Sequence, residues 1–188
     1  MDKKKRMSKE KRREHIVSAA LKSFSGSSYR ATTTASIAKA AGVSEVTLFR
    51  HFSSKEELFK AVTEPILEES LEDIEIHLQE KDLNPTERLK VIIKNRIEFI
   101  SRNHKLISLI LRERKINPEI IPFDYVERTH VLLEKAVEEA GIKSEDRELT
   151  LRLLIGSILS FLYFPENSKI NIEKYVDQLI AMIKSNSR

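Results

Sequence analysis

The chain contains no cysteine in 188 residues, which removes disulfide frameworks, thiolate metal sites and cysteine nucleophiles before any pattern is read. Glycine is nearly as scarce, at four residues, and the five prolines, Pro65, Pro85, Pro118, Pro122 and Pro165, fall mostly between apolar-periodic blocks. No Asn-Gly or Asp-Gly pair sits between alternating apolar residues, so the tight turns that strands need are missing. No apolar run reaches 18 residues, because Thr150, Arg152, Gly156, Ser157 and Ser160 interrupt Leu149 to Phe164, and a membrane-spanning helix is not expected. Met1 to Arg13 is basic and polar with no apolar stretch behind the charge, unlike a signal peptide, and a cytoplasmic protein is expected. The five histidines form no HExxH or paired spacing, and no glycine-rich phosphate loop or G-x-S-x-G elbow occurs. No metal, cofactor or enzymatic activity is expected.

What is present is helical periodicity and uneven charge. With 40% hydrophobic and 33% charged residues, the composition is that of a globular protein of one or two small domains, here all-α. Residues 1–60 carry a net charge of +8 and residues 61–188 a net charge of −4. A basic block of that size suits a polyanion partner, because lysines and arginines that neutralise phosphates release condensed counterions; for Lys3-Lys4-Lys5-Arg6 alone, a solvated tail explains the charge equally well.

Ser8 begins a helix carrying Ile16, Ala19, Ala20 and Phe24, which stops at Gly26-Ser27-Ser28. Thr33 precedes a short helix, Thr34 to Ala41, ended by Gly42, and Ser44 caps another, Glu45 to His51. Two short helices separated by Gly42-Val43-Ser44 make a helix-turn-helix. Ser53 and Ser54, each with a glutamate three residues on, read as a doubled capping box opening a fourth helix that Pro65 should kink. Asn84-Pro85 opens a fifth helix with the stripe Leu89, Ile92, Ile93, Arg96, Ile97 and Ile100. Asn103 opens a sixth, with Leu106, Ile107, Ile110 and Leu111 inward, and Val126, His130, Leu133 and Val137 trace a seventh. Ser144 caps an eighth helix that is apolar all round up to Pro165, and Asn171 caps a ninth.

The stretch Ile16 to Leu58 resembles the TetR family of bacterial transcriptional regulators. The resemblance is carried by Tyr29-Arg30-Ala31-Thr32-Thr33, Ile37-Ala38-Lys39-Ala40-Ala41-Gly42-Val43-Ser44, Thr47-Leu48-Phe49-Arg50-His51-Phe52 and Ser54-Lys55-Glu56-Glu57-Leu58. Three positions depart from the family pattern: Ser28 and Val46 replace glycines and Phe49 replaces a tyrosine. The resemblance implies an N-terminal three-helix DNA-binding domain over residues 1–53, then a larger helical domain over residues 54–188 that binds a ligand and dimerises, about nine helices in all. It implies a repressor that binds palindromic double-stranded operator DNA as a homodimer and is released by a small apolar or amphipathic effector. The alternative is a regulator of the same fold that activates or bridges proteins without a small-molecule inducer.

The residues implied for DNA contact are Thr33, Thr34, Ser44, Val46, Thr47, Phe49, Arg50, His51 and Lys55. Val46 suits a thymine methyl, Thr47 a base edge, and Arg50, His51 and Lys55 phosphates, with Arg50 also in reach of a base. Phe52 reads as core, Phe49 as either core or contact, and Glu45 as a first-turn residue complementing its helix dipole. Effector contacts are expected from among Arg96, Phe99, Ile100, Leu106, Ile110, Tyr125 and His130. Arg96 and His130 lie on apolar stripes where an unpaired charge is costly, so a structural partner or a ligand must compensate each. The dimer interface is expected from Leu153, Gly156, Ser160, Tyr175, Leu179 and Ile183. The acidic run Glu68, Glu69, Glu72, Asp73 and Glu75 wraps its helix and reads as a solvated face.

Overall fold

The computed structural model describes residues 7–116, 124–142, 147–163 and 170–185. The expected cap Ser144, the breaks at Pro118, Pro122 and Pro165, and the tail Lys3 to Arg6 lie outside them. The described residues form nine helices and no strand: α1 (Lys9–Gly26), α2 (Thr34–Ala40), α3 (Glu45–Phe49), α4 (Lys55–Gln79), α5 (Pro85–Arg102), α6 (His104–Ile116), α7 (Asp124–Glu139), α8 (Arg147–Tyr163) and α9 (Ile172–Ser185). None of them is long and apolar enough to cross a membrane.

Caps set most of the helix starts. The Ser8 hydroxyl accepts from the Lys11 amide at 3.2 Å, and the Asn84 side chain accepts from the Glu87 amide at 3.0 Å with Pro85 in the first helical position. Thr33 and Ser36 form a reciprocal capping box at α2, which Gly42 ends in the left-handed region at φ +61°. The doubled box expected at α4 is a single one. Ser54 accepts from the Glu57 amide at 3.0 Å, while the Glu57 carboxylate takes the Ser53 amide and hydroxyl, both at 2.6 Å. Those donors hold the Glu57 carboxyl below its ordinary range. Glu56 pairs instead with Lys60 at 2.9 Å. Pro65 lies inside α4, which is assigned as one helix throughout.

The chain forms two compact units. The first holds α1 to α3, α4 up to Ile66 and α6 from Ser108. Its core includes Ile16, Ala20, Phe24, Ile37, Leu48, Phe52, Leu58 and Phe59. Phe24, Tyr29 and Phe59 form an aromatic cluster in which Phe59 meets both other rings edge-on, at 5.1 and 5.0 Å.

The second unit holds the remainder of α4 from Leu67, α5, the start of α6, and α7 to α9. Here α5 packs against α7, α8 and α9, and its stripe Leu89, Ile92, Ile93, Arg96, Ile97 and Ile100 is buried as expected. Two stripes differ from their sequence reading. Leu111 is partly exposed while Leu109 is buried, and on α7 the inner residues are Leu133, Ala136, Val137 and Ala140, leaving Val126 and His130 exposed. Steps of three and of four both follow a helix face, so the periodicity alone does not choose between Thr129 and His130 behind Leu133.

Candidate functional site

Exposed apolar side chains on a short helix need a reason, and α3 carries two. Val46 is 64% exposed and Phe49 46% exposed, flanked by exposed Arg50 and half-buried Thr47 and His51. Only Leu48 of this five-residue helix is buried, so Phe49 is not core, whereas Phe52 is fully buried beneath the Arg13 guanidinium, 4.8 Å from its ring centre. The α3 hydroxyls are already organised. Ser44 Oγ accepts from the Thr47 amide at 3.1 Å and lies 2.8 Å from the Thr47 hydroxyl. The Thr34 hydroxyl donates to the Glu45 carboxylate. Glu45 therefore ties α3 to the start of α2, a link that sequence spacing did not reveal, and its charge is held at that contact.

Lys55 lies differently from the sequence expectation of a phosphate contact. Its ammonium donates to the Thr32 carbonyl at 2.9 Å and sits 4.2 Å from the centre of the Tyr29 ring. Partial burial lowers its pKa. The side chain thus fastens the start of α4 to the residues just before α2. Loss of its ammonium in Lys55→Met should cost about 1–2 kcal/mol of stability in urea melts. The salt dependence of DNA binding should stay unchanged; a flattened salt slope would restore the phosphate role.

On α8 one face is buried through Leu151, Leu154, Ile158 and Leu162. The opposite face leaves Leu149, Leu153, Gly156, Ser160 and Tyr163 exposed, with Tyr163 76% exposed. Their steps of four, three, four and three residues are those of a coiled-coil seam. Of the residues expected at a dimer interface, Leu153, Gly156 and Ser160 lie on this seam. Tyr175, Leu179 and Ile183 do not: Leu179 and Ile183 are buried in the chain's own core, and half-buried Tyr175 packs edge-on against Phe161 and donates to the Ser157 carbonyl at 3.3 Å. The apolar stripe of α9 is already covered within its own subunit.

The expected effector residues are divided by the fold. Ile110 belongs to the first unit, and the other six lie in the second. Arg96 is buried, 4% exposed, with Nη1 donating to the Ser70 carbonyl and, at 2.6 Å, to the Ser70 hydroxyl. Ser70 Oγ in turn lies 2.8 Å from the Tyr125 hydroxyl, and the guanidinium carbon lies 4.6 Å from the centre of the Phe99 ring. Ile100 and Leu106 are buried, and His130 is exposed and needs no compensation. Ser70 was missed because it sits in the acidic run. Its place between Leu67 and Ile74, on the inner stripe of α4, is the signal that marks it. The acids around it face outward or pair, with Arg128 reaching Glu68 at 3.4 Å and Glu75 at 3.5 Å.

An open groove of about 300 Å³ between α5 and α9 is lined by Lys90, Lys94, Glu173 and Asp177 among others. Its charges pair with one another, Lys90 with Asp177 at 2.8 Å and with Glu87 at 3.0 Å, and Lys94 with Glu173 at 2.7 Å. With both lysines engaged by the three carboxylates of the lining, it leaves no free cation for an anionic ligand.

The family model described as "Bacterial regulatory proteins, tetR family" matches residues 16–62. The chain is 33% identical over 168 residues to the nucleoid occlusion factor SlmA of Enterobacter sp. (strain 638), covering 84% of this chain and 82% of that protein. It is 27% identical over 149 residues to an HTH-type transcriptional regulator of Staphylococcus aureus (strain MRSA252), with 78% of each covered. Among solved structures, the transcriptional regulator FadR of Bacillus subtilis in complex with stearoyl-CoA superposes with a TM-score of 0.71 over 92% of this chain and 98% of that one, at 18% identity, a likeness of fold.

Proposed function

The chain belongs to the TetR family of bacterial regulatory proteins, and from that premise we propose that this transcriptional regulator is a homodimeric repressor that binds palindromic operator DNA and is released by a small amphipathic effector. The observation that carries the DNA-binding geometry is the outward display of Val46, Thr47, Phe49 and Arg50 on α3 beside the capped start of α2. In the major groove, Val46 supplies apolar contact for a thymine methyl and Thr47 a hydroxyl for a base edge, while Arg50 pairs with phosphate. Thr33 and Thr34 face the backbone at the N-terminus of α2. The exposed seam of α8 supplies the dimer contact, which sets two α3 helices on half-sites about 34–36 Å apart or a multiple of that spacing.

The test is selection of bound fragments from the source genome, followed by footprinting and light scattering. A dimer protecting two symmetric half-sites is expected; a monomer protecting one unrepeated half-site would overturn the reading. Thr47→Ala should alter preference at particular base pairs, whereas Arg50→Ala should weaken all sequences alike and reduce the salt slope by about one. Identical behaviour of the two variants across mismatched operators and several salt concentrations would refute this docking.

Release by an effector requires that it bind the non-operator conformation more tightly, since equal affinity for both conformations shifts nothing. A coupling of about 1–3 kcal/mol makes a useful switch. The second reading, a regulator that acts through protein partners without such an effector, draws support from the 33% identity to a nucleoid occlusion factor.

A further inference from the structure

Arg96 is a buried cation that the charge of Asp73 reaches without forming an ion pair. No carboxylate lies within ion-pair distance of it among the described residues, and its hydrogen bonds all leave from Nη1 and end on Ser70. The acid whose charge acts on it, Asp73, is occupied elsewhere, accepting from the Asn95 amide at 3.3 Å and lying 3.7 Å from His77. Among the described residues Nε and Nη2 have no acceptor, yet they are not sealed in. Among the described residues the buried side-chain nitrogen lacking a partner is Arg88 Nε, so the free edge of Arg96 keeps accessible surface. Desolvation lowers the Arg96 pKa, but an arginine stays charged, and the Ser70 hydrogen bonds and the Phe99 ring offset only part of the cost of burying it without an ion-pair partner.

We infer that the free edge of Arg96, with the Tyr125 and Ser70 hydroxyls beside it, binds the carboxylate of an apolar-tailed monocarboxylic acid, an identification that rests on the effector reading above. The charge balance selects the headgroup. One guanidinium offers one positive charge and two parallel N–H donors from Nε and Nη2, which match the single charge and two oxygens of a carboxylate. A phosphate dianion needs a second cation, and the neighbouring charge that acts on Arg96 here is the acid Asp73. Ser70 already accepts from Arg96, so its hydroxyl proton is available to pass toward Tyr125 and Tyr125 can donate onward to the bound oxygen. The tail meets the ring of Phe99, which is partly exposed and stacks on the guanidinium.

Titration calorimetry of the full-length protein with decanoate, decanol and decyl phosphate tests this. Decanoate is expected to bind, decanol at least tenfold more weakly, and decyl phosphate more weakly than decanoate. Arg96→Met should reduce decanoate affinity about tenfold to a hundredfold, the range for losing a charge-assisted pair, and should melt no lower than wild type, because it replaces a buried charge that has no ion-pair partner by an apolar side chain. Arg96→Lys, which keeps the charge but not the fork, should fall between the two and serves if the methionine variant does not fold. No decanoate binding, equal binding of the alcohol, a preference for the phosphate, or unchanged affinity with a lower melting temperature in Arg96→Met would each overturn the inference. Operator release is measured separately. Arg96-dependent decanoate binding that leaves operator affinity unchanged keeps the site and removes the effector role, while loss of decanoate binding with operator binding intact removes the site alone.

Discussion

Gly156→Arg is expected to sediment as a monomer at concentrations where the unmodified chain is a dimer, and to lose at least ~100-fold in operator affinity, since the second half-site no longer binds intramolecularly. Gly156 lies at the centre of the exposed α8 seam, between Leu153 and Ser160, and a Cβ built there meets nothing in its own subunit within 4 Å. Nothing in the monomer therefore resists a larger side chain. At a two-fold interface each Gly156 faces the equivalent surface of the other subunit, so an arginine brings two like charges into a seam of Leu149, Leu153 and Tyr163 without a counter-charge. Gly156→Ala separates the interface effect from helix propensity. It should raise the stability of the isolated subunit by up to about 1 kcal/mol, because glycine inside a helix is unfavourable. Sedimentation velocity and operator titration at matched concentrations read both variants. A Gly156→Arg chain that remains dimeric would move the interface elsewhere.

The other large effect is expected at Phe59. This side chain is fully buried and meets Phe24 and Tyr29 edge-on, so truncation removes one of the largest apolar groups in the DNA-binding unit. Phe59→Ala should cost about 3–5 kcal/mol, combining lost transfer energy with the cavity left behind. A core this small has little to spare, since whole domains are stable by only about 5–15 kcal/mol. Hydrogen exchange should show amides in α1 to α3 losing protection while those of α5, α8 and α9 keep theirs, and operator binding should fall accordingly. Phe59→Leu, which retains most of the volume, should lose much less. Wild-type protection in α1 to α3 of Phe59→Ala would show that the aromatic cluster does not support this unit.

The sequence alone carried a great deal of this architecture, for local reasons. Ser8, Thr33, Ser44, Ser54 and Asn84 each satisfy amides in the first turn of the helix that follows, an interaction between residues two or three apart, so their spacing is enough to place the helix start. Gly42 reads as a stop because the left-handed backbone it adopts strains other residues. The helix-turn-helix was legible for the same reason, as two caps and a glycine at fixed separations. The buried stripe of α5 was legible because that helix is covered along one face only, giving a clean period.

Where a helix has a choice of neighbours, the fold decided. The apolar residues surrounding α8 could not say which face serves the subunit's own core and which is left for another chain; packing against α5 took Leu151, Leu154, Ile158 and Leu162 and left the seam. On α9 the same packing buried Leu179 and Ile183, which sequence had assigned to the dimer. Lys55 had the sequence context of a phosphate contact, but its ammonium found the Thr32 carbonyl and the Tyr29 ring, more than twenty residues away along the chain. Arg96 was marked from the sequence as a charge on an apolar stripe, whereas its partner, Ser70 on a different helix, was not. Capping and periodicity act over a few residues and are written in the order of the chain. The partner of a long polar side chain and the buried side of an all-apolar helix depend on which elements the completed fold brings together, and that was fixed only by the tertiary structure.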